Sequence, residues 1–453
     1  MRRRDFLAGI ATASSLAAQP PKRPNIIIIY TDDQGYGDLG CYGAKDIQSP
    51  HIDRLAKEGV RFTQWYSNSP VCSPSRGSLL TGKYPQRHGI VDVLTSTAQF
   101  NVPGLREKEH TLPKELKKLG YNTAAVGKWH LGSAKHSRPQ QQGFDDFFGF
   151  FSGWTDYYSH RYYTLGKGQS EIAHDLWRND IEVFEDTAYQ TEILAREAKA
   201  YVSRQTASTP FLLYLAFGAP HYPMMAPEKY LSRFPETMDH DRRVHCAMIA
   251  AVDDAVGELM ALLRRKGLDN NTIVYFQSDN GATEEGRADH QGRPYRGGSN
   301  APLKGFKQTL FEGGIRVPAI LWGPGRGIPS GRLNRQPGVA MDIAPTMLKF
   351  VDPSVGMAGQ IDGIDLAPMI LKGQPSPHEH IFWNYLQHRA VLHKGRWKLK
   401  GERQGPNEPL IKIQLFDLVA DLGETTDRSQ AEPKITKELT AALQQWEAQT
   451  LSW

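Results

Sequence analysis

The 453-residue chain contains only three cysteines, Cys41, Cys72 and Cys246, which excludes a disulfide-rich scaffold. A Cys41–Cys246 disulfide is arithmetically possible, but nothing else in the sequence supports it, so we expect two unpaired thiols. The chain also lacks any run of about 18 consecutive apolar residues, the length that a membrane-spanning helix needs. We therefore expect no membrane anchor.

Runs of like charge, internal repeats and extended low-complexity tracts are absent as well. Lysine and arginine are scattered along the chain, and the formal net charge is only +5. Without a basic stripe or cluster we expect no nucleic-acid partner. Because 40% of the residues are hydrophobic, a chain of this length can bury a sizeable core.

The first 18 residues have the composition of an export signal. Arg3-Arg4-x-Phe6-Leu7 precedes a short apolar run and the small residues Ala17-Ala18. This arrangement resembles a twin-arginine signal, and an ordinary Sec signal is the alternative. The segment predicts an exported protein, either periplasmic or secreted.

Strand-like and helix-like segments alternate along the chain, which predicts an α/β fold. We expect a large central, mostly parallel or mixed β-sheet flanked by helices on both faces, within a catalytic domain at residues 23–372. A change of composition near 372–380 predicts a linker. The remaining residues, 380–453, predict a small C-terminal subdomain with an antiparallel sheet and a helix. The predicted strands are 25–30, 123–126, 211–217, 272–277 and 317–322, and the predicted helices are 50–57, 112–119, 241–266, 341–350 and 433–449.

Residues 72–82 read Cys-Ser-Pro-Ser-Arg-Gly-Ser-Leu-Leu-Thr-Gly and place Cys72 four residues before Arg76. The Gly-Ser-Leu-Leu that follows is typical of the start of a helix. A cysteine at a helix N-terminus beside a guanidinium lies in a positive field, which favours anions. The pattern predicts a nucleophile, or the precursor of one, that faces a negatively charged substrate. A buried cysteine in a turn is the alternative.

Acidic and amide side chains follow two predicted strands. Asp32 and Asp33 come directly after the first strand, and Asp279 and Asn280 follow the strand at 272–277. Ligands of open α/β sheets gather beyond the carboxyl ends of the strands. Adjacent carboxylates repel each other unless a cation binds them. Since all four side chains offer oxygen, they favour Ca2+ or Mg2+ over zinc. Two unrelated polar turns are the alternative.

Basic residues and histidines follow other predicted strands. Lys128 and His130 lie two residues apart, so in an extended segment both side chains point to one side. His221 follows another strand, and Lys307 lies five residues before Glu312. Lysine can neutralise a sulfate or phosphate oxygen, and histidine can move a proton near neutral pH. Each position taken alone is also compatible with an ordinary loop residue.

Several longer motifs join these residues in one order: Asp-Asp-Gln-Gly-Tyr-Gly-Asp, Cys-x-Pro-x-Arg, Gly-Lys-Trp-His-Leu-Gly, Ser-Asp-Asn-Gly and Glu-Gly-Gly-Ile-Arg-Val-Pro. Together they resemble the formylglycine-dependent, arylsulfatase-like sulfatases of the alkaline phosphatase superfamily, from about residue 23 to 350. The resemblance implies a sulfuric ester hydrolase that acts on a small sulfated substrate.

The resemblance also implies a role for each matched residue. A maturation enzyme would oxidise Cys72 to 3-oxoalanine (formylglycine), whose hydrate would attack sulfur. His130 would handle the proton of that hydrate, and His221, aided by Lys307, would protonate the leaving oxygen. Lys307 keeps the family's distance to Glu-Gly-Gly, whereas the role of Lys304 stays open. The implied catalytic and sulfate-binding residues are Cys72, Arg76, Lys128, His130, His221 and Lys307. The implied ligands of Ca2+, preferred here to Mg2+, are Asp32, Asp33, Cys72, Asp279 and Asn280.

Residues 144–163 are unusually rich in aromatic side chains. Trp154, Asp156 and His160 are candidate substrate contacts, because rings stack on sugars and polar groups bind sugar hydroxyls. Hydrophobic packing beneath a loop is the alternative and is favoured for the phenylalanines. Together with the export signal, this segment predicts a sulfated carbohydrate, such as a glycan, as the substrate.

Two other classes of function remain open at this point. A phosphate or phosphonate monoester hydrolase of the same superfamily would share the acidic metal site. A two-metal phosphatase would need further histidine and aspartate ligands, which the sequence does not place beside these motifs. A non-catalytic protein that binds sulfated glycans would retain such a ligand without releasing sulfate.

Overall fold

The computed structural model describes residues 23–95, 101–163, 172–286, 293–405 and 408–450, so the predicted export signal lies outside the described residues. The strands are β1 (Asn25–Thr31), β2 (Val60–Phe62), β3 (Trp65–Tyr66), β4 (Asn122–Lys128), β5 (Asp146–Phe150), β6 (Arg161–Tyr163), β7 (Ile172–His174), β8 (Trp177–Arg178), β9 (Ile181–Glu182), β10 (Phe211–Ala216), β11 (Thr272–Ser278), β12 (Ala319–Trp322), β13 (Arg332–Asn334), β14 (Gly338–Val339), β15 (His380–Tyr385), β16 (His388–His393), β17 (Trp397–Glu402) and β18 (Ile411–Asp417). The helices are α1 (Pro50–Glu58), α2 (Cys72–Thr81), α3 (Pro85–His88), α4 (Leu112–Lys118), α5 (Gln190–Arg204), α6 (Glu228–Leu231), α7 (His240–Arg265), α8 (Glu312–Ile315), α9 (Ile343–Val351), α10 (Ala367–Lys372) and α11 (Pro433–Thr450).

A ten-stranded mixed sheet forms the centre of the molecule, in the order β13-β2-β12-β11-β1-β10-β4-β5-β8-β9. β1 lies between β10 and β11 and is parallel to both, and β4 and β5 continue the parallel part. β12 is antiparallel to β11 and to β2. The carboxyl ends of β1, β4, β10 and β11 therefore meet at one edge, which is where the predicted site residues follow their strands.

The continuous apolar sequence of β1 follows from burial on both faces of the sheet. Ile27 and Ile29 pack into one core with α5 and α7, whereas Ile26 and Ile28 pack into a second core with α4 and α9. Helices on both faces of a mixed central sheet confirm the predicted fold class.

The C-terminal residues form a second sheet in the order β15-β16-β17-β18, antiparallel throughout, with α11 packed against β16 and β17. This sheet and helix confirm the predicted C-terminal architecture. The sheet packs on the large sheet's domain through side chains such as Trp383, whose ring lies 5.2 Å from that of Tyr66. The exact boundaries between 372 and 380 stay a prediction.

The helix α5 and the strand β15 are among the elements that the sequence prediction missed, as are the short strands at the edges of the large sheet. The helix α5 begins after Tyr189, whose side chain makes no capping hydrogen bond, so the usual start signal is absent. The strand β15 directly follows the predicted linker and alternates between buried and half-buried residues.

Cys41 and Cys246 are free thiols, in agreement with the prediction of two unpaired thiols, and Cys72 also forms no disulfide. Within the described ranges, no helix combines the length and apolarity that a bilayer span requires.

Candidate active site

The ends of β1 and β11 place four oxygen-bearing side chains together. Thr31 is paired with Ser278 in the parallel register, so the residues that follow each strand are neighbours. The backbone N–H of Asp33 donates to Asp279 Oδ1 at 3.2 Å, and Asn280 Nδ2 donates to Asp33 Oδ1 at 2.7 Å. Adjacent strand tips thus bring together Asp32, Asp33, Asp279 and Asn280.

Cys72 is the first residue of α2 and is buried against this cluster. Its Sγ and one ligand atom each of Asp32, Asp33 and His221 all lie within 4.8 Å of one another. Burial raises the pKa of the Cys72 thiol to about 12, although Lys128 and Lys307 oppose the shift. The thiolate is the nucleophilic form of cysteine, so an unmodified Cys72 here is a weak nucleophile near neutral pH.

Two buried cations neutralise the acidic tips. The Arg76 guanidinium donates to Asp279 Oδ2 through Nη2 at 2.7 Å and Nε at 3.0 Å, and its Nη2 lies 3.7 Å from Asp32 Oδ1. Lys128, the last residue of β4, donates through Nζ to Asp32 Oδ2 at 2.5 Å. All four side chains are fully buried, so these ion pairs hold charge where water cannot screen it.

A second basic pair lies on Asp33. Lys307 Nζ donates to Asp33 Oδ2 at 2.9 Å and lies 3.3 Å from His221 Nε2. His221 Nδ1 lies 2.7 Å from the Tyr222 carbonyl oxygen, which only accepts, so Nδ1 carries the proton and Nε2 is the acceptor for Lys307. Burial and the nearby Lys307 and Lys128 hold the pKa of His221 well below its ordinary value. The imidazole is therefore neutral and coupled to a lysine that can supply a proton.

His130 differs from the prediction in one respect. Its backbone has φ of +54°, so the segment after Lys128 is not extended as the prediction assumed. His130 Nε2 donates to the Leu94 carbonyl oxygen at 3.1 Å, which leaves the lone pair on Nδ1. Nδ1 is buried without a hydrogen-bond partner in the described ranges. Burial, Lys128 and Arg76 hold the pKa of His130 well below its usual range.

Buried oxygen atoms in the cluster fit a hard divalent cation. Asp32 Oδ1 and Asn280 Oδ1 are buried and accept no hydrogen bond from any described residue. Burial, reinforced by Asp279 and Asp33, raises the pKa of Asp32 to about 8 in spite of Lys128. Crowded carboxylates with unshared oxygens are the environment that Ca2+ and Mg2+ stabilise.

Trp154, within the aromatic segment, contacts a residue that packs beside this cluster. Its ring centroid lies 5.6 Å from that of Tyr222 and 4.5 Å from that of Tyr163. Tyr222 in turn packs on His221, with ring centroids 4.0 Å apart. Half-buried Trp154 therefore forms an aromatic wall with Tyr222, and this wall contacts the catalytic candidate His221.

Asp156 and His160 make their contacts within the loop instead. Asp156 Oδ1 accepts hydrogen bonds from the backbone N–H groups of Tyr158 and Ser159, at 2.9 and 2.7 Å. The His160 side chain is buried, and its Nε2 donates to the Ala188 carbonyl oxygen at 3.1 Å. The structure thus brings the acidic, basic and cysteine candidates together, whereas these two side chains stabilise the turn that carries Trp154.

The model of one protein family, sulfatase, matches residues 24–353, most of the chain. The chain belongs to the sulfatase family. It is 36% identical to N-acetylgalactosamine-6-sulfatase of Canis lupus familiaris over 385 residues, which cover 82% of this chain and 70% of that protein. This membership makes the protein a sulfuric ester hydrolase, and sulfatases in general use a formylglycine and a divalent metal ion.

Two solved structures are similar to this sulfatase in fold. Ps i-CgsB, solved in complex with k-i-k-neocarrahexaose, is 31% identical with a TM-score of 0.83, covering 95% of this chain and 94% of that chain. The phosphonate monoester hydrolase of Agrobacterium radiobacter is 19% identical with a TM-score of 0.66, covering 95% and 96% respectively. That second likeness shows a shared fold alone.

Sequence reasoning missed two residues of the sulfatase's site. Glu285 forms an ion pair with Lys307 at 3.2 Å, and Tyr222 packs on His221 while its ring lies 5.8 Å from Lys307 Nζ. The position of Tyr222 directly after His221 was a usable signal. Glu285 lies in a loop whose sequence carries no such signal.

The Glu-Gly-Gly motif has a structural role. The fully buried carboxylate of Glu312 binds Lys398 of the C-terminal sheet at 2.8 Å and Arg316 at 3.1 Å. Lys304 also turns away from the site, since its Nζ donates to the Glu424 carbonyl oxygen at 3.0 Å. The motif therefore ties the C-terminal sheet to the loop that presents Lys307.

Proposed function

We propose that this sulfatase hydrolyses sulfate esters of a carbohydrate, with Cys72 modified to formylglycine and with Ca2+ bound by the two strand tips. The main support for this proposal is the buried cluster in which Cys72, Asp32 and Asp33 present ligand atoms within 4.8 Å of one another. Cys72, Asp32, Asp33, Asp279 and Asn280 are the proposed metal ligands.

The modification supplies an aldehyde hydrate, whose paired hydroxyls give both a nucleophile and an internal route to release sulfate. The high pKa of the unmodified Cys72 thiol supports the need for this change, since the protonated thiol is a poor attacking group. A formylglycine-generating maturase is the protein partner that this proposal requires.

The bound cation supplies charge stabilisation and lowers the pKa of an oxygen ligand. The chain's own charges support this choice. In the fully ionised state that a bound cation favours, the carboxylates Asp32, Asp33, Asp279 and Glu285 exceed the cations Arg76, Lys128 and Lys307 by one charge. A divalent ion reverses that excess to one positive charge, which suits a singly charged sulfate ester. Oxygen ligands favour Ca2+ and Mg2+, and we propose Ca2+ because its coordination tolerates irregular geometry.

The basic residues divide the remaining tasks. Arg76 and Lys128 lie on the acidic tips and hold the sulfate oxygens and the group at position 72 in place. His130 offers an unshared Nδ1 lone pair that can take a proton from that group. Lys307 and His221 form a hydrogen-bonded pair that can deliver a proton to the leaving oxygen. Each proton-transfer group is expected to contribute about 100- to 10,000-fold in rate.

A carbohydrate substrate is supported by the aromatic wall of Trp154 and Tyr222 beside His221. Aromatic faces stack on sugar rings. Two similar proteins are linked to carbohydrates by name: N-acetylgalactosamine-6-sulfatase, and Ps i-CgsB solved in complex with k-i-k-neocarrahexaose. Asp156 and His160 remain predictions as substrate contacts.

Export to the periplasm or the medium through the predicted twin-arginine signal completes the proposal. The twin-arginine route carries folded proteins, which suits an enzyme that is modified before it leaves the cytoplasm. Fusion of residues 1–22 to a folded reporter tests this, with Arg3→Lys/Arg4→Lys as the matched control. Export of both fusions alike contradicts twin-arginine transport.

The central test uses Cys72→Ala beside the wild type, each co-expressed with a maturase. We expect the wild-type peptide that contains residue 72 to show the mass of an aldehyde in place of CH2–SH, and the variant to fold but release no sulfate. Full activity of Cys72→Ala would disprove the covalent mechanism.

Parallel assays with aryl sulfate and aryl phosphate then test the reaction class. Faster release of sulfate supports the proposal, whereas faster release of phosphate favours the phosphomonoester alternative. Removing metal with a chelator and adding back Ca2+ or Mg2+ separately identifies the ion. Sulfate release from sulfated oligosaccharides tests the carbohydrate assignment.

A further inference from the structure

A second group of metal-ligating side chains lies outside the cluster around Cys72. His160 follows the turn that begins at Asp156, His174 ends β7, and Asp186 lies in the loop before α5. One ligand atom from each of His160, His174 and Asp186 lies within 4.8 Å of the other two. None of these residues belongs to the catalytic set.

The outer hydrogen bonds of the two histidines leave one lone-pair nitrogen on each ring that is available to a metal ion. His160 Nε2 donates to the Ala188 carbonyl oxygen at 3.1 Å, so Nδ1 carries the lone pair. His174 Nδ1 donates to the Glu182 carboxylate at 2.9 Å, so Nε2 carries the lone pair. Metal-binding histidines typically donate their other ring N–H to a carbonyl or carboxylate in this way.

Both inward nitrogens lack another explanation in the described part of the chain. His160 Nδ1 and His174 Nε2 are buried, and neither has a hydrogen-bond partner among the described residues. The His160 side chain is fully buried, and that of His174 is 7% exposed. Two buried acceptor nitrogens without a partner are unfavourable unless a donor or a cation meets their lone pairs.

Asp186 adds a negative charge to this pair. Its carboxylate is 55% exposed and forms a loose ion pair of 3.7 Å with Arg161, so the side chain can turn toward the histidines. A tetrahedral zinc ion with bonds of about 2.0–2.1 Å requires ligand atoms roughly 3.3 Å apart. The three groups lie within 4.8 Å of one another, so each separation has to shorten by at most about 1.5 Å, and rotation of Asp186 contributes to this. Imidazole with carboxylate favours transition metals over Ca2+.

We propose that His160, His174 and Asp186 bind one divalent transition-metal ion, Zn2+ being the preferred species, at a structural site separate from the catalytic cation. The ion would join the turn after Trp154, the strand β7 and the loop before α5. These three segments are already connected by the β6–β7 pairing and by hydrogen bonds such as that from Asp175 N–H to the His160 carbonyl oxygen at 2.8 Å, and the ion would add a further connection. The site would thereby hold the aromatic wall in position.

The test uses the full chain, stripped with a chelator and then returned to excess Ca2+ so that the oxygen-rich cluster is filled. Co2+ is titrated while the visible d–d bands are recorded, and Zn2+ is titrated by calorimetry. We expect one tight site with nitrogen and oxygen ligation and without the near-ultraviolet thiolate band that cysteine would give.

Asp186→Asn removes a ligand and Glu182→Gln weakens the outer hydrogen bond, and both positions are exposed enough for the fold to survive. Each is expected to weaken Zn2+ binding by about 10- to 100-fold or more. Glu185→Gln is the matched control, because Glu185 neighbours Asp186 but pairs with Arg196 at 2.7 Å. Circular dichroism verifies the fold of each variant.

Loss of affinity in the first two variants, with an unchanged control, supports the site. A wild type that binds neither Co2+ nor Zn2+ in the presence of Ca2+, or correctly folded Asp186→Asn and Glu182→Gln variants that bind as the wild type does, overturns it.

Discussion

Replacement of Lys307 by methionine separates the two tasks proposed for this lysine. Its Nζ lies 2.9 Å from Asp33 Oδ2, and the two side chains are 4% and 1% exposed. Removing one partner of a buried ion pair costs about 3–5 kcal/mol, because the other charge is left without compensation. In calcium-free buffer, Lys307→Met is therefore expected to lower the free energy of unfolding by about 3–5 kcal/mol.

Calcium is expected to restore most of that stability but not the activity. A cation bound by Asp33 replaces the positive charge that the substitution removes, so the stability loss shrinks when Ca2+ is saturating. The proton that Lys307 and His221 share is not replaced, so kcat/KM is expected to fall by about 100- to 10,000-fold. Urea unfolding with and without Ca2+, and initial rates with an aryl sulfate, measure the two effects.

Lys304→Met is the matched control for this experiment. Lys304 is exposed, and its Nζ donates to the Glu424 carbonyl oxygen instead of to the acidic tips. We expect a stability change of about 0.5–1 kcal/mol and nearly unchanged turnover. Comparable formylglycine content in all preparations must be verified by mass spectrometry. Near-wild-type turnover of folded Lys307→Met would refute its catalytic role, and a stability loss unaffected by Ca2+ would refute a cation at Asp33.

Two further predictions concern buried charged pairs, one in the C-terminal sheet and one just before it in the chain. Lys398→Met leaves the buried carboxylates of Glu312 and Glu424 without their shared lysine, so we expect unfolding in urea to be easier by about 3–5 kcal/mol; a change below about 1 kcal/mol would contradict this. His378 is bonded to Asp342 at 2.7 Å, and although burial opposes the shift, Asp342 raises the pKa of His378. Because the folded pKa is raised, the stabilisation is complete below the unfolded pKa and is lost as pH rises through the folded pKa. The stability difference between wild type and His378→Gln is therefore expected to be larger at pH 5.5 than at pH 8.5, and the opposite trend would show that burial prevails.

The pattern of apolar residues was sufficient to predict the central strands. A run such as Asn25–Thr31 is apolar without interruption because both faces of the strand are buried, and burial on both faces is a local property of the sequence. The polar residues after each strand could then be predicted to share one edge of the sheet. Even so, the left-handed backbone at His130 could not be predicted, because it accompanies a long-range contact in which the carbonyl oxygen of Phe151, directly after β5, accepts the His130 N–H.

Distances between segments far apart in the chain were decided only in the folded protein. The family resemblance favoured Lys307 over Lys304 by its distance to Glu-Gly-Gly, but the sequence carries no distance from either ammonium to Asp33. Tertiary contacts place one on Asp33 and direct the other to the C-terminal loop at Glu424.

His160 is another residue whose neighbours could be known only from the folded protein. Its position in an aromatic segment suggested a substrate contact, whereas folding brings His174 and Asp186, 14 and 26 positions away, within 4.8 Å of it. Apolar runs and strand ends depend on adjacent residues, so the sequence by itself determined the central strands of the sheet, the acidic tips and the cysteine helix. The ion pairs and the second histidine cluster arise from long-range packing, where a shift of a few ångströms changes which charges meet, and only the tertiary structure decided them.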